Sequence, residues 1–475
     1  MTSLGAGPAG PPVRIRPTRR APTDIPFDFP DEEHARTLAA ERGEPHWLGA
    51  ERLAAARLYA ELPVEPNLLY TTYVDLRSAA GLDGVRPYVR TAASPDSGAG
   101  RPTPEGSAGL IELDEDGVLT LGLAPEAAAR GVILETLGAA VTRDPEGLRR
   151  QLEGGSTLPS DERLAMLSRA FWSQGVRLVV PDGVRLDQPI LVRWRAGAPG
   201  RALLTRTLLH VGDGATLSVV EELLPSGPAG MSPDDPGTAQ ALFTGTTEAV
   251  VGRDASLTVA GIQEFGPRQI SFQHRTAAVA AGGSMRWVLG QLGSRLVKSR
   301  IDNRLEGHRS AVEQVEIVFG AEDQTFDLTS YARHIGEDTT GNLLSKGAML
   351  GASRAFFKGL ITIERSARGT DSFLGEYGMH LTRHARSVAI PSLEIDQPDC
   401  RRAAHSSSVG PIDEAQLFYL QTRGLTVNEA RKFIVLGYLE PVVSRVPHAE
   451  TQQRLRDLIE EKWAASSAGV SATAA

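Results

Sequence analysis

A chain of 475 residues with a net charge of −8 at pH 7 suits two or three domains and offers no basic footprint for nucleic acid. Its one cysteine, Cys400, excludes an internal disulfide and any multi-cysteine metal site, and fits a reducing cytoplasm. No stretch approaches the ~20 apolar residues that cross a membrane, and the basic start MTSLGAGPAGPPVRIRPTRRAP lacks the apolar core of a secretory signal, so a soluble chain is expected.

Residues 1–30, rich in Pro, Gly and Arg without periodicity, read as a disordered arm. From Asp31 two helices are expected, DEEHARTLAAERGE and PHWLGAERLAAARLYAELP. Pro45 opens the second, Pro63 stops it, and Ala50, Ala54 and Leu58 line one face. Tyr70–Leu76 suits a short strand or an extended link, Ser94–Gly109 a loop, and Ile111–Leu123 a hairpin. Gly131–Leu152 and Asp161–Phe171 read as further helices, which makes 31–174 an α-rich first domain.

At Gly175 the pattern turns to β. Val176–Val180, Ile190–Trp194, Leu203–Val211, Thr216–Leu223, Leu257–Phe265 and Met285–Leu292 alternate apolar and polar residues. No helical pattern interrupts the series before about Ile395. Corners of similar composition recur at Val211, Val251, Ala280, Leu305 and Ile335, about 25 to 40 residues apart. Such a repeat arises when one strand–turn unit stacks on the next and only the stack buries a core. A β-coil solenoid over 175–410 therefore fits better than a sandwich, which at this length would split in two.

Residues 411–475 read as helical. Asp413 caps a first helix, with Gln416 placed to return the bond, Leu417 and Leu420 facing inward and Gly424 at its end. Thr426 and Glu429 form a capping box for a second helix. Phe433, Ile434 and Leu436 give it apolar surface, and Pro441 is expected to follow its end. A third spans about His448–Trp463, with Leu455, Leu458 and Ile459 on one side. Such short helices cannot hide this surface on each other, so they must dock on the β body or on another protein.

No phosphate loop, HExxH, GxSxG or dinucleotide fingerprint occurs, so ATP hydrolysis by this chain itself is not expected. Of ten histidines, His380 and His384 read as surface or packing residues, and His308 and His334, at expected corners, as solvated. His405 ends the β region among small residues, Ala403, Ala404 and Ser406–Ser408, which leave its ring accessible. It is either a half-exposed turn histidine or an imidazole available to iron. Cys400, beside Arg401 and Arg402, is either a reactive thiol or a small hydrophobe. Glu313, Glu316 and Asp323 are the densest acids available to a different class, a carbohydrate-acting β-helix enzyme.

The order PSLEI, His405, VGPIDEAQLFYLQTRGL resembles the C-terminal signature of the SufB/SufD family of iron–sulfur cluster scaffold proteins. The matching positions are Pro391, Leu393–Ile395, His405, Asp413, Leu417–Leu420 and Arg423–Leu425. Weaker echoes are Gly175–Ile190, Lys346–Ile361 and Pro45–Pro63. The resemblance implies a mainly β fold: a right-handed parallel β-helix core flanked by N-terminal α-rich and C-terminal helical domains. It implies a scaffold that is not itself an enzyme. The ATPase SufC would dock on the tail, at Asp413, Leu417, Phe418, Tyr419, Arg423 and Gly424, and the β-helix end would pair with SufB or with a second copy. It also implies a transient iron–sulfur cluster at the complex interface near His405, with none held stably by this chain alone. SufB-type chains carry an acceptor cysteine near the position of Glu376, and acids where Ala404 and Ser406 stand here. The SufD-like member is thus the nearer, and a SufB-like or homodimeric scaffold is the alternative. A SufD cysteine two residues before the histidine would fall at Ala403, and Cys400 reads as structural.

Overall fold

The computed structural model describes residues 24–87, 103–155, 160–226 and 239–472. Most of the expected N-terminal arm, and the loop Ser94–Gly109 up to residue 102, lie outside them. Asp31 caps α1 (Glu32–Glu41) through the His34 N–H, and Pro45 precedes α2 (His46–Glu61). The buried face of α2 is Leu48, Arg52, Ala55, Ala56 and Tyr59, not Ala50, Ala54 and Leu58. Arg52 sets that rotation. Its guanidinium is drawn inward by Glu44 at 2.7 Å and the Ala170 carbonyl at 2.9 Å, over the Trp172 ring. Tyr70–Leu76 is not a strand. A single 3-10 turn at Thr71–Tyr73 follows Tyr70, whose buried hydroxyl donates to the Gly359 carbonyl at 2.8 Å.

After β1 (Arg86–Pro87), the expected hairpin forms from β2 (Gly109–Leu113) and β3 (Val118–Leu123). A short α3 (Pro125–Ala129) follows. The helix expected from Gly131 begins instead as β4 (Ile133–Thr136), because a strand there buries Leu134 against the first solenoid strand. Thr136 then caps α4 (Leu137–Arg143), and Pro145, lacking an N–H, breaks it before α5 (Pro145–Gly155). α6 (Arg163–Phe171) stands as expected.

The solenoid follows as paired strands. They are β5 (Gln174–Val180) and β6 (Ile190–Ala196), β7 (Arg201–Val211) and β8 (Thr216–Pro225), β9 (Ala241–Val251) and β10 (Ser256–Gln263). Next come β11 (Gln269–Val279) and β12 (Ser284–Gln291), then β13 (Leu296–Leu305) and β14 (Ala311–Gly320). The last are β15 (Thr325–His334) and β16 (Thr340–Met349), β17 (Arg354–Ile363) and β18 (Asp371–His380), β19 (Arg386–Ile395) and β20 (Arg402–Pro411). From β5 on, odd strands stack in parallel as one sheet and even strands as the other. Residues facing the space between the sheets make the core, among them Leu178, Trp194, Val219, Leu257, Trp287 and Ile301. At the expected corners Gly214, Asp254, Gly282, Arg309 and Asp338 take φ of 53° to 67°, the left-handed conformation that reverses the chain in few residues. Each corner bonds to the next coil, as Gly214 N–H does to the Arg253 carbonyl at 2.7 Å and Asp254 N–H to Ala281 at 2.9 Å.

The β region does not stop at Ile395. β20 carries His405 and the serine run as a strand paired to β18 along its length. Those serines show no alternation because, among the described residues, no further coil is stacked on this one.

Helices cover both outer faces. α2 and α6 pack on the odd sheet at Leu204, Leu242 and Phe272. The tail helices α7 (Glu414–Thr422), α8 (Val427–Val443) and α9 (Ala449–Ala472) lie on the even sheet, where Val435, Leu439, Leu455 and Ile459 meet Val288, Ile317 and Phe319. The Thr426–Glu429 capping box is present. Pro441 lies inside α8, not after it, where it leaves the Gly437 carbonyl without a helical donor only in the last turn. No described helix is long and apolar enough to cross a membrane.

Candidate functional site

The last coil differs from every other. β19 has β17 as its one neighbour and β20 has β18, so both outer edges are unpaired among the described residues. Parallel register carries inward columns onto this coil. Ser372, Leu374, Glu376 and Gly378 of β18 are followed on β20 by Ala403, His405, Ser407 and Val409. His405 therefore continues the buried column Leu343–Leu374 and is exposed because, among the described residues, nothing is stacked above it. It sits within a strand, not in a turn. Cys400, in the corner before β20, is half-buried against the apolar cluster of Ile361, Ile363 and Leu374.

One level below His405 lies an acid whose environment the sequence did not disclose. Glu376 continues the column Glu316–Ser345 and is followed by Ser407. It is 1% exposed, and its Oε2 has no hydrogen-bond partner. Burial pushes its carboxyl up to about 8, offset only by the backbone N–H of Ile390. Other interior acids are better provided for: Glu221 pairs with Arg275, and Glu316, whose Oε2 is likewise without a partner, accepts on Oε1 from Gln291 at 3.0 Å and Ser299 at 2.8 Å.

The remaining candidates separate. His334, expected to be solvated, is buried at the end of β15, held by Thr339 at 2.8 Å and Ser372 at 2.9 Å. Burial lowers it to about 4, so the ring is neutral. His308 and His384 are exposed, and His380 is half-buried, its Nε2 3.1 Å from Ser387 Oγ. Glu313 faces out toward Arg286, Glu316 faces in, and Asp323 pairs with Arg295 at a corner, so the acids a glycosidase would need do not converge. Among the described residues, no three His, Cys, Asp or Glu side chains gather as a ready metal site.

Beside the open end the tail forms an apolar groove of about 830 Å³, lined by Tyr377, Met379, Ile412, Tyr419, Phe433 and Tyr438. Asp413 caps α7 through the Ala415 N–H, Leu417 is half-buried, Arg423 lies over the Tyr419 ring, and Gly424 ends the helix at φ 95°. Phe418, Tyr419 and Phe433 remain 67%, 56% and 64% exposed, far more than an isolated domain needs.

Fold and site together define a parallel β-solenoid finished at one end, open at the other, and flanked by an apolar helical tail. The family model for the SUF system FeS cluster assembly SufBD core domain matches residues 194–438. The chain belongs to the SufBD family of iron–sulfur cluster assembly proteins. It is 24% identical over 444 residues to the iron–sulfur cluster assembly protein SufD of Bacillus subtilis, covering 91% of this chain and 98% of that one. It is 26% identical over 431 residues to a SufBD family protein of Staphylococcus haemolyticus, covering 88% and 89%. A SufBD family protein of Staphylococcus epidermidis is 26% identical over 453 residues, covering 89% and 94%.

Proposed function

We propose that this chain is the SufD-like scaffold subunit of a Suf assembly complex, without catalytic activity of its own. The carrying observation is the unpaired last coil with His405 facing its opening. A second solenoid, from SufB or from another copy, extends both sheets there by strand addition. The nascent iron–sulfur cluster forms in the joint, with His405 among its ligands. The exposed aromatics of α7 and α8 dock the ATPase SufC, whose ATP-driven motion reaches the joint through the tail packed on the even sheet. The homodimeric alternative uses the same edges and differs only in the partner. Co-purification with SufB and SufC, followed by anaerobic reconstitution, tests the reading. A ternary complex whose cluster yield falls with His405→Ala is expected. A complex with unchanged yield removes His405 from the site, and failure to form any complex overturns the scaffold reading.

A further inference from the structure

Glu376 is a costly residue to bury. An ionisable group in an apolar interior is ordinarily paired or replaced. On the outer face of the odd sheet this protein follows that rule. Lys298 and Lys358 are enclosed with Glu65 and Asp327, Lys358 lying 2.8 Å from Glu65 and 2.7 Å from Asp327. Glu376 sits on the inner side of the same coil, and among the described residues no Lys or Arg pairs with it. The fold nevertheless makes room for its carboxyl. Gly359, the neighbour of Lys358, faces it from the opposite sheet, and a Cβ there would lie 2.8 Å from Oε1. Serines flank it in the column, Ser345 below and Ser407 above.

Register places Glu376 and His405 on adjacent strands, on one face, two positions apart. Strand spacing puts their Cα atoms about 8 Å from each other, a separation that a glutamate and a histidine sharing one ion can bridge. A carboxylate with a free oxygen beside an accessible imidazole is a mixed O/N donor pair, suited to ferrous iron or manganous ion and poorly suited to soft, thiolate-seeking metals.

We propose that Glu376 and His405 together hold a divalent metal ion at the open end of the solenoid, Glu376 binding from inside and His405 from the rim. Without metal Glu376 keeps its proton, and the ion takes that proton's place as the counter-charge to the carboxylate. Its remaining coordination positions face out of the last coil, toward water, sulfide or a docked chain. The choice of ferrous iron as the natural occupant rests on the cluster-assembly reading, whereas the donor pair does not.

Anaerobic titration of the full-length chain with ferrous iron alone, with and without a competing chelator, tests this. The wild type is expected to bind one ion per chain. Glu376→Gln and His405→Ala are each expected to weaken binding on the order of 10- to 100-fold, the scale on which metal sites respond to loss of a supporting group. Glu376→Gln preserves side-chain shape and removes a buried acid, so a cooperative melt confirms that the variant is folded. Glu376→Asp, which keeps the charge but shortens the reach, is expected to bind with intermediate affinity. A folded Glu376→Gln that binds iron as tightly as wild type overturns the proposal, as does a wild type that binds none. Cluster yield in the partnered complex is read separately. Dependence on His405 without dependence on Glu376 sinks this inference and leaves the scaffold reading standing. Loss of iron binding in both variants with unchanged cluster yield leaves this inference standing and removes His405 from the cluster site.

Discussion

The first and last coils of the solenoid are built from similar strands and finished in opposite ways. At the first, β4 lies antiparallel on β5, and the β2–β3 hairpin covers β6, burying Ile111, Leu113 and Leu134. At the last, β19 and β20 have nothing beyond them among the described residues, and Ile395 and Val409 stay 45% and 37% exposed. An uncovered strand edge is a template for another chain, and proteins usually blunt one that serves no purpose. Here one end is blunted by antiparallel strands and the other is left flat, ten residues long on each sheet. Stability is thus concentrated at the closed end and unspent pairing capacity at the open one.

The largest effect expected from this contrast is at the closed end. Ile111→Ala opens a cavity in the shared core and should cost about 3 to 4 kcal/mol in urea unfolding. A loss below ~1 kcal/mol would mean that the first coil is not the anchor it is taken to be. Next comes pH. The native carboxyl of Glu376 is raised to about 8 from an ordinary 4.5, so the folded protein keeps a proton that the unfolded chain releases. The stability from that proton is full below about pH 4.5 and is lost as pH rises through 8. Relative to Glu376→Gln, the wild type should lose roughly 3 kcal/mol between pH 5 and pH 8, read as the difference between two pH–stability curves without metal. Parallel curves would show that the acid is solvated or paired. The smallest effect on stability belongs to the tail. Phe433→Ser removes an exposed ring and should change unfolding by less than ~0.5 kcal/mol, while weakening capture of SufC if the proposed docking on the tail is right.

Much of this was legible in the sequence, and the failures share a cause. Corners rich in Gly and Asp announced the solenoid because a left-handed residue is a local requirement, met at Gly214, Asp254 and Gly282. The Thr426–Glu429 cap was equally local. What the pattern hid depends on stacking across coils. β20 lacks alternation because, among the described residues, no next coil covers it. His334 looks like a corner residue until Ser372, one coil on, closes over its ring. Arg52 rotates α2 through carbonyls more than a hundred residues away. Glu376 reads as one polar residue in FLGEYG, and its isolation emerges only once register places it between Ser345 and Ser407.

The proposed joining of a second chain at the open end is open to a direct test. Val388→Lys and Val409→Lys put charge on the two free edge strands without touching the closed end. Sedimentation of the chain, alone and mixed with SufB, measures the consequence directly. Wild-type melting of both variants together with loss of the paired species is expected. Variants that pair as tightly as wild type would contradict it and move the interface elsewhere on the molecule.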